Sequence, residues 1–190
     1  MSNEKKSAQR TKELVFCAIC AALAVVCSFI KFVSLPFGGS ITLFSMFFIV
    51  TAGYMYGVGA GFLTGVVYSI LFFMLEPYMY SPIQFVFDYP LAFGLLGGVA
   101  GLFPRASVSR KPRKLSDWHL QIGYTLGVIA RYLCHVISGF VFFADYADSM
   151  NPLVYTLTYN LTYILPEMIL TLILLFIPGV HKLIHRLNTL

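Results

Sequence analysis

A carboxylate stands inside an otherwise apolar stretch, "QFVFDYPLAFGLLGGVAGLF", which covers residues 84–103. A charged side chain in a segment fit for hydrocarbon is costly unless it has a partner or a task, so Asp88 is a candidate functional residue. An acid wetted by lipid headgroups, or one that caps a helix, is the structural alternative.

A second polar group lies in "ARYLCHVISGFVFF", where Arg131, His135 and Gly139 recur at intervals of four and therefore share one helix face. Phe143 follows four residues later. An ion pair between Arg131 and an acid elsewhere in the chain would also explain the arginine.

A third group lies in "YTLTYNLTYILPE", where Tyr155, Tyr159 and Tyr163 are spaced by four. Asn160 requires hydrogen-bond partners, because an unsatisfied amide in a dry interior costs a few kcal/mol. Glu167 either pairs with an arginine or faces a polar cavity.

These groups favour one kind of ligand. Aromatic rings attract cations by their quadrupole, by about 2 kcal/mol when the pair is desolvated. A carboxylate beside the rings adds Coulomb attraction. The set therefore fits a flat, polar, positively charged small molecule and fits neither a lipid tail nor an anion.

The composition indicates a membrane protein. The chain has 190 residues, of which 58% are hydrophobic and 11% charged, whereas soluble domains carry about a quarter charged residues. We expect one transmembrane substrate-binding domain over residues 1–190.

The four cysteines lie in apolar runs, and the C-x-x-C of Cys17 and Cys20 has no second pair or nearby histidine. No disulfide framework, metal site or cofactor is therefore expected.

Six apolar runs are candidates for membrane-spanning helices, since about 20 residues cross the hydrocarbon core. The sequence thus predicts an all-α bundle of six transmembrane helices. The predicted spans are 14–33, 41–57, 58–75, 83–103, 120–144 and 155–179.

Basic residues predict the orientation. Of 13 Lys and Arg, 11 lie in an N-terminal arm (1–13), a loop (104–119) and the C-terminal tail. The positive-inside rule places these segments and both termini in the cytoplasm. Asp88 then lies near the outer face. The net charge of +5 is split among segments that flank spans, so it does not indicate nucleic-acid binding.

Small residues recur every four positions on several spans. In spans two to four they are glycines, which predict close packing inside the bundle. In span one, Ala18 and Ala22 form a face that could dock a partner helix. The glycine sets are Gly57/Gly61/Gly65, Gly94/Gly98 and Gly97/Gly101.

Four stretches, "LPFGGSITLFSM", "FDYPLAFGLLGG", "RYLCHVISGFVFFADYA" and "YTLTYNLTYILPE", resemble the thiamine-specific S components of energy-coupling factor (ECF) transporters. The resemblance runs over nearly the whole chain. It implies a six-helix protein of a prokaryotic plasma membrane with cytoplasmic termini. It also implies that thiamine binds near the outer face, between spans four to six and the loop after span one.

The resemblance assigns roles to individual residues. Asp88 stands where the family has an acid that faces the thiazolium ring, and Phe143 stands at an aromatic stacking position. The only tryptophan, Trp118, lies in the basic loop, whereas some relatives use tryptophans in the binding site. The implied ligand-binding residues are Asp88, Tyr89, Arg131, His135, Gly139, Phe143, Tyr155 and Asn160, with Tyr68 and Tyr78 as further wall residues.

The family's S component does not transport alone. It joins a transmembrane coupling protein and two ATPases, and it is proposed to topple in the membrane to carry the site inward. The sequence contains no G-x-x-x-x-G-K-[ST] motif, so it is not its own ATPase. By resemblance, Ala18 and Ala22 match the docking face for the coupling protein, and "SLPFGGSIT" has the flexibility of a lid.

Three alternatives stay open at this point. An S component for another vitamin or a pyrimidine precursor would have less need of Asp88. An intramembrane enzyme would use His135 and Asp88 as acid and base, although no nucleophile or metal motif completes such a set. An ion-coupled carrier would transport its substrate without any ATPase.

Overall fold

The computed structural model describes residues 3–36, 39–103 and 118–187. The helices pack together, and an antiparallel β-hairpin contacts them at one end, called here the hairpin end. Most of the predicted loop 104–119 lies outside the described residues. The elements are α1 (Asn3–Ser28), β1 (Lys31–Ser34), β2 (Ser40–Thr42), α2 (Ser45–Tyr56), α3 (Val58–Leu75), α4 (Pro82–Val86), a π-helical segment (Phe87–Leu91), α5 (Ala92–Ala100), α6 (His119–Phe142), a 3-10 turn (Ala144–Ala147), α7 (Pro152–Phe176) and α8 (Pro178–Leu187).

The helices are suited to a bilayer. In the part of the chain that the structure describes, five stretches are long and apolar enough to cross it, and their outward faces carry large apolar side chains. The sixth predicted span, α2, has 12 residues, and such a helix is only about 18 Å long. The all-α membrane bundle is therefore confirmed. The five long stretches are Lys6–Ser28, Val58–Leu75, Pro82–Ala100, His119–Phe142 and Pro152–Phe176.

The first span differs from its predicted bounds. Helix α1 begins at Asn3, so the predicted arm is helical from that residue, and it ends at Ser28. The next residues form the antiparallel hairpin, in which Val33 pairs with Ile41 and Ser34 with Ser40. The predicted continuation to residue 33 was therefore wrong. Pro36, without an N–H, and the glycines after it favour a turn over further helix.

The fourth span is not a uniform α-helix. Its middle, Phe87–Leu91, is π-helical and contains Pro90. Proline lacks an N–H and its ring clashes with the carbonyl one turn earlier, so a widened turn accommodates it inside a continuing helix. Asp88 and Tyr89 lie in this widened turn, at the hairpin end.

The last predicted span is divided in two. Asn151 caps α7, because its Oδ1 accepts hydrogen bonds from the backbone N–H groups of Leu153 at 2.9 Å and Val154 at 3.4 Å. The helix runs through Pro166 and ends at Phe176, and α8 begins at Pro178. The predicted end at residue 179 therefore falls inside a second, shorter helix.

Glycines bring α3 and α5 into backbone contact. A Cβ built on Gly61 would lie 2.1 Å from the carbonyl oxygen of Gly97, and one built on Gly97 would lie 2.1 Å from the oxygen of Gly61. No side chain fits between these backbones. The predicted packing role of the spaced glycines is confirmed here, and the contact holds α5 against the bundle just beyond the segment that carries Asp88.

Candidate functional site

A cavity opens at the hairpin end between α3, the π-helical segment, α6, α7 and the hairpin. The space open to the centre of a water molecule is about 100 Å³. All ten residues that the sequence predicted to bind a ligand line it, which brings together side chains from four separate stretches. They are Tyr68, Tyr78, Asp88, Tyr89, Arg131, His135, Gly139, Phe143, Tyr155 and Asn160.

Asp88 faces this cavity, and its side chain is only 16% exposed. Its Oδ1 lies 3.0 Å from Nδ1 of His135, and its Oδ2 accepts a hydrogen bond of 2.5 Å from Nε2 of Gln84. The structure thus places Asp88 away from a headgroup-wetted surface. Both carboxylate oxygens are oriented by the protein before any ligand arrives.

Arg131 lies one turn deeper on the same face of α6. Its Nε donates to Nε2 of His135 at 3.3 Å, and its Cζ lies 4.4 Å from the centre of the Phe93 ring. Its Nη1 is buried without a hydrogen-bond partner among the described residues. Within the described chain, no ion pair joins Arg131 to Glu167. The guanidinium therefore keeps an unused donor at the cavity.

Stacked aromatic rings form two walls. Tyr78 and Phe143 stack with centroids 6.2 Å apart and planes 18° apart, and Tyr155 and Tyr159 stack at 6.1 Å and 23°. Partial burial raises the pKa of Tyr78, with smaller contributions from nearby acidic groups. Its hydroxyl therefore stays neutral at physiological pH.

Tyr68 and Tyr89 are mainly supporting residues. Tyr68 is 2% exposed and stacks on Phe72 with centroids 5.8 Å apart. The hydroxyl of Tyr89 donates to the backbone oxygen of Tyr78 at 3.2 Å. Tyr89 thereby fixes the loop that carries one of the stacked rings.

The amide of Asn160 is already engaged inside the protein. Its Nδ2 donates to the backbone oxygen of Thr156 at 2.9 Å, and its Oδ1 accepts from the hydroxyl of Tyr163 at 2.6 Å. A Cβ on Gly139 would lie 1.8 Å from Oγ1 of Thr156. Nδ2 of Asn160 also donates to the backbone oxygen of His135 on α6 at 3.4 Å, so both Asn160 and Gly139 help to set the α6–α7 contact at the cavity wall.

The hairpin is tied to α7 by a residue that was not among the predicted site residues. The hydroxyl of Tyr159 accepts from the backbone N–H of Gly39 at 3.2 Å and donates to the backbone oxygen of Pro36. Gly39 also lines the cavity. The tyrosine spacing was visible in the sequence, but the partner could not be identified without the unpredicted hairpin.

Two more wall residues were not among the predicted ligand-binding residues. Gln84 lies four residues before Asp88, one helical turn away, and that spacing was the available signal. Glu167 is 1% exposed and also lines the cavity. The sequence left its role open, and no pattern pointed to its partners on the hairpin and α2.

The hairpin is also fixed from its other side. Lys31, at the start of β1, forms an ion pair with Glu76, which follows α3. Both side chains are partly exposed, at 23% and 36%. Exposed ion pairs contribute at most about 1 kcal/mol to stability, so this pair helps to position the hairpin but holds it only weakly.

The predicted docking residues lie on the outside of the bundle. Ala18 and Ala22 are exposed on α1, next to the exposed side chain of Ile19. The cysteines are free thiols. Within residues 3–36, 39–103 and 118–187, no cluster of His, Cys, Asp and Glu could hold a metal ion.

Comparisons with known proteins agree with this architecture. The profile of the family described as "Thiamine transporter protein (Thia_YuaJ)" matches residues 14–186. The chain is 34% identical over 164 residues to the thiamine transporter ThiT of Bacillus subtilis, covering 82% of each chain. It is 30% identical over 118 residues to ThiT of Lacticaseibacillus paracasei, covering 60% of this chain and 58% of that one.

A solved structure has the same fold. ThiT from Listeria monocytogenes aligns with a TM-score of 0.77 and 24% identity, over 95% of this chain and 98% of that chain. The relatives are named transporters, so the chain is a transport component rather than an enzyme. With its apolar helices, it is a multi-pass protein of the plasma membrane. The family profile spans most of its length, and the chain therefore belongs to the thiamine transporter protein family.

Proposed function

We propose that the cavity binds thiamine at the outer face of the membrane and delivers it for ATP-driven uptake by an ECF coupling module. The observation that carries this proposal is Asp88, an oriented carboxylate at a cavity walled by stacked aromatic rings. Such a site matches the permanent positive charge and flat shape of the thiazolium ring.

The rings supply the first part of the binding energy. A cation over a desolvated aromatic face gains about 2 kcal/mol. Phe143 and Tyr155 offer ring faces at the cavity. Asp88 adds Coulomb attraction, which grows as the closed site excludes water.

The deeper end of the cavity suits the polar half of thiamine. Nη1 of Arg131 has no hydrogen-bond partner in the described structure, so it can donate to a ring nitrogen of the aminopyrimidine. A buried donor left unpaired costs about 1–3 kcal/mol. A ligand that supplies the acceptor removes this cost, and that gain discriminates thiamine from a simple aromatic cation.

The hairpin acts as the lid in this proposal. Tyr159 and the Lys31–Glu76 ion pair hold it over the cavity. Thiamine enters when these contacts open and is enclosed when they form again. The tie to α7 consists of hydrogen bonds at the hairpin tip, so it can break without unfolding the bundle.

Energy comes from other subunits in this account. A transmembrane coupling protein docks on the exposed small-residue face of Ala18 and Ala22, and two ATPases drive the movement that exposes the site to the cytoplasm. The predicted orientation, with both termini inside, places the hairpin end outside. Reconstituted alone in liposomes, the chain should bind thiamine but not accumulate it.

Calorimetric titration of the detergent-purified chain tests the binding function. We expect one thiamine per chain, weaker binding of its isolated pyrimidine half, and recovery of chemically unchanged thiamine. Absence of thiamine binding, or tighter binding of the pyrimidine half, would overturn the proposal. Accumulation of thiamine by the chain alone would instead support the ion-coupled carrier.

A further inference from the structure

We propose that Glu167 is the second acid of the site and gives the cavity its selectivity for a cation over a neutral ligand of the same shape. This inference rests on the proposed function and adds a specificity-determining residue to it. Glu167 lies on α7, across the cavity from the segment that carries Asp88.

Glu167 accepts two hydroxyl hydrogen bonds in the buried wall of the cavity. Its Oε1 lies 2.7 Å from the hydroxyl of Thr42 and 2.9 Å from that of Ser45. All three residues are buried, and all three line the cavity. Hydrogen bonds to an ionised acceptor are stronger than those between neutral groups, so these donors favour the carboxylate form.

The charge balance of the cavity with a cationic ligand favours a second acid. The charged side chains in its wall are Asp88, Glu167 and Arg131. His135 is neutral in this arrangement, because its Nε2 accepts from Arg131 and its Nδ1 proton then points to Asp88. If Asp88 were the only acid, the guanidinium would offset its charge, and the closed cavity would carry no net charge to balance that of a cationic ligand.

With Glu167 ionised, two carboxylates face one guanidinium and leave one formal negative charge. A ligand with one positive charge brings the closed cavity to neutrality. This matters because a buried uncompensated charge of either sign is costly. The described structure has no ion pair between Glu167 and Arg131, so a direct contact with the guanidinium does not neutralise the charge of Glu167.

The position of Glu167 also relates the charge of the cavity to closure of the hairpin. Thr42 ends β2 and Ser45 begins α2, so both hydroxyl donors lie at the base of the lid. Glu167 therefore contributes its charge to the cavity that the hairpin closes. A neutral ligand of equal size would leave the net negative charge of the closed cavity unbalanced.

The test compares thiamine with an uncharged isostere in which thiophene replaces the thiazolium ring. Glu167→Gln keeps an acceptor for Thr42 and Ser45 but removes the charge. We expect the ratio of thiamine affinity to isostere affinity to fall at least tenfold. Thr171→Val, the matched control, removes a buried hydroxyl one turn further along α7 and outside the cavity lining, and it should change this ratio less than threefold.

The outcomes separate the two proposals. If the wild-type chain binds no thiamine, the proposed function fails. If the wild-type chain binds thiamine but E167Q leaves the ratio unchanged, whether both affinities persist or fall together, only the role of Glu167 is overturned.

A measurement on the wild-type chain covers the case in which E167Q does not fold. We expect the infrared spectrum of the thiamine-bound protein to show no carbonyl stretch from a protonated side-chain carboxyl. Such a band, if it persists in D88N and shifts in E167D, would show that Glu167 is neutral and would overturn the inference.

Discussion

Nδ1 of His135 lies 3.0 Å from Oδ1 of Asp88, and this contact joins α6 to the π-helical segment across the cavity. Because Nε2 of the same ring accepts from Arg131, the imidazole lies between the Asp88 carboxylate and the Arg131 guanidinium and contacts both. The site is thus organised around a neutral histidine. The sequence comparison with the family predicted all three as ligand-binding residues, but it did not predict the bridging role of the ring.

If His135 joins Asp88 to Arg131, then His135→Phe should weaken thiamine binding. Phenylalanine keeps a flat ring in place but can neither donate to Asp88 nor accept from Arg131. We expect thiamine affinity to fall at least tenfold, or about 1.4 kcal/mol, in calorimetric titration. His119→Phe, at the opposite end of α6, serves as the control and should retain wild-type affinity. Equal affinities for both variants would contradict the bridging role.

The tie between the hairpin and α7 predicts a kinetic effect. Tyr159→Phe removes the hydroxyl that accepts from Gly39 and donates to Pro36 but keeps the ring that stacks on Tyr155. We expect thiamine to dissociate several-fold faster in stopped-flow displacement, with a smaller change in association. Tyr132→Phe, which removes a hydroxyl bonded to the backbone oxygen of Leu157, is the matched control. An unchanged dissociation rate for Y159F would show that this hydroxyl does not hold the lid.

The backbone contact between Gly61 and Gly97 predicts a loss of stability. A methyl group on Gly61 would lie 2.1 Å from a carbonyl oxygen, so α3 and α5 must separate. Overpacking of this kind costs about 1–3 kcal/mol, and Gly61→Ala should lower the apparent melting temperature in detergent. Gly59→Ala is the control, since nothing lies within 4 Å of a Cβ at Gly59. Similar melting temperatures for the two variants would disprove the contact.

A substitution on the exposed small-residue face of α1 should abolish transport without affecting thiamine binding. Ala22→Trp places a bulky ring on the surface proposed to dock the coupling protein. Thiamine binding by the purified variant should match the wild type, whereas uptake in cells that contain the coupling module should be lost. Leu63→Trp, at an exposed position of α3, is the control. Full uptake by A22W would place the docking face elsewhere.

Much of this structure follows from local sequence signals. The spacing of Arg131, His135 and Gly139 predicted a shared face, and the apolar runs predicted the helices. The hairpin was missed, because its strands are only four and three residues long and most of their residues were assigned to the ends of the two flanking predicted spans. The widened turn at Pro90 was missed because a proline in a helical pattern fits a kink, an end or a π-turn equally well.

The role of Glu167 needed the tertiary structure for a different reason. Its hydroxyl partners, Thr42 and Ser45, lie more than 120 positions away in the chain. Arg131 was its natural partner by charge, yet it donates to a neutral histidine instead. Long-range pairing between polar side chains has no periodicity that a single sequence could reveal.

The central claim is that the carboxylate of Asp88 among ring faces makes this cavity a site for cationic thiamine. Titration of the wild-type chain and of Asp88→Asn, each with thiamine and with its uncharged thiophene isostere, tests it most directly. We predict that D88N loses at least tenfold in thiamine affinity, about 1.4 kcal/mol, and binds the isostere within threefold of the wild type. Undiminished thiamine binding by a folded D88N protein would contradict the claim.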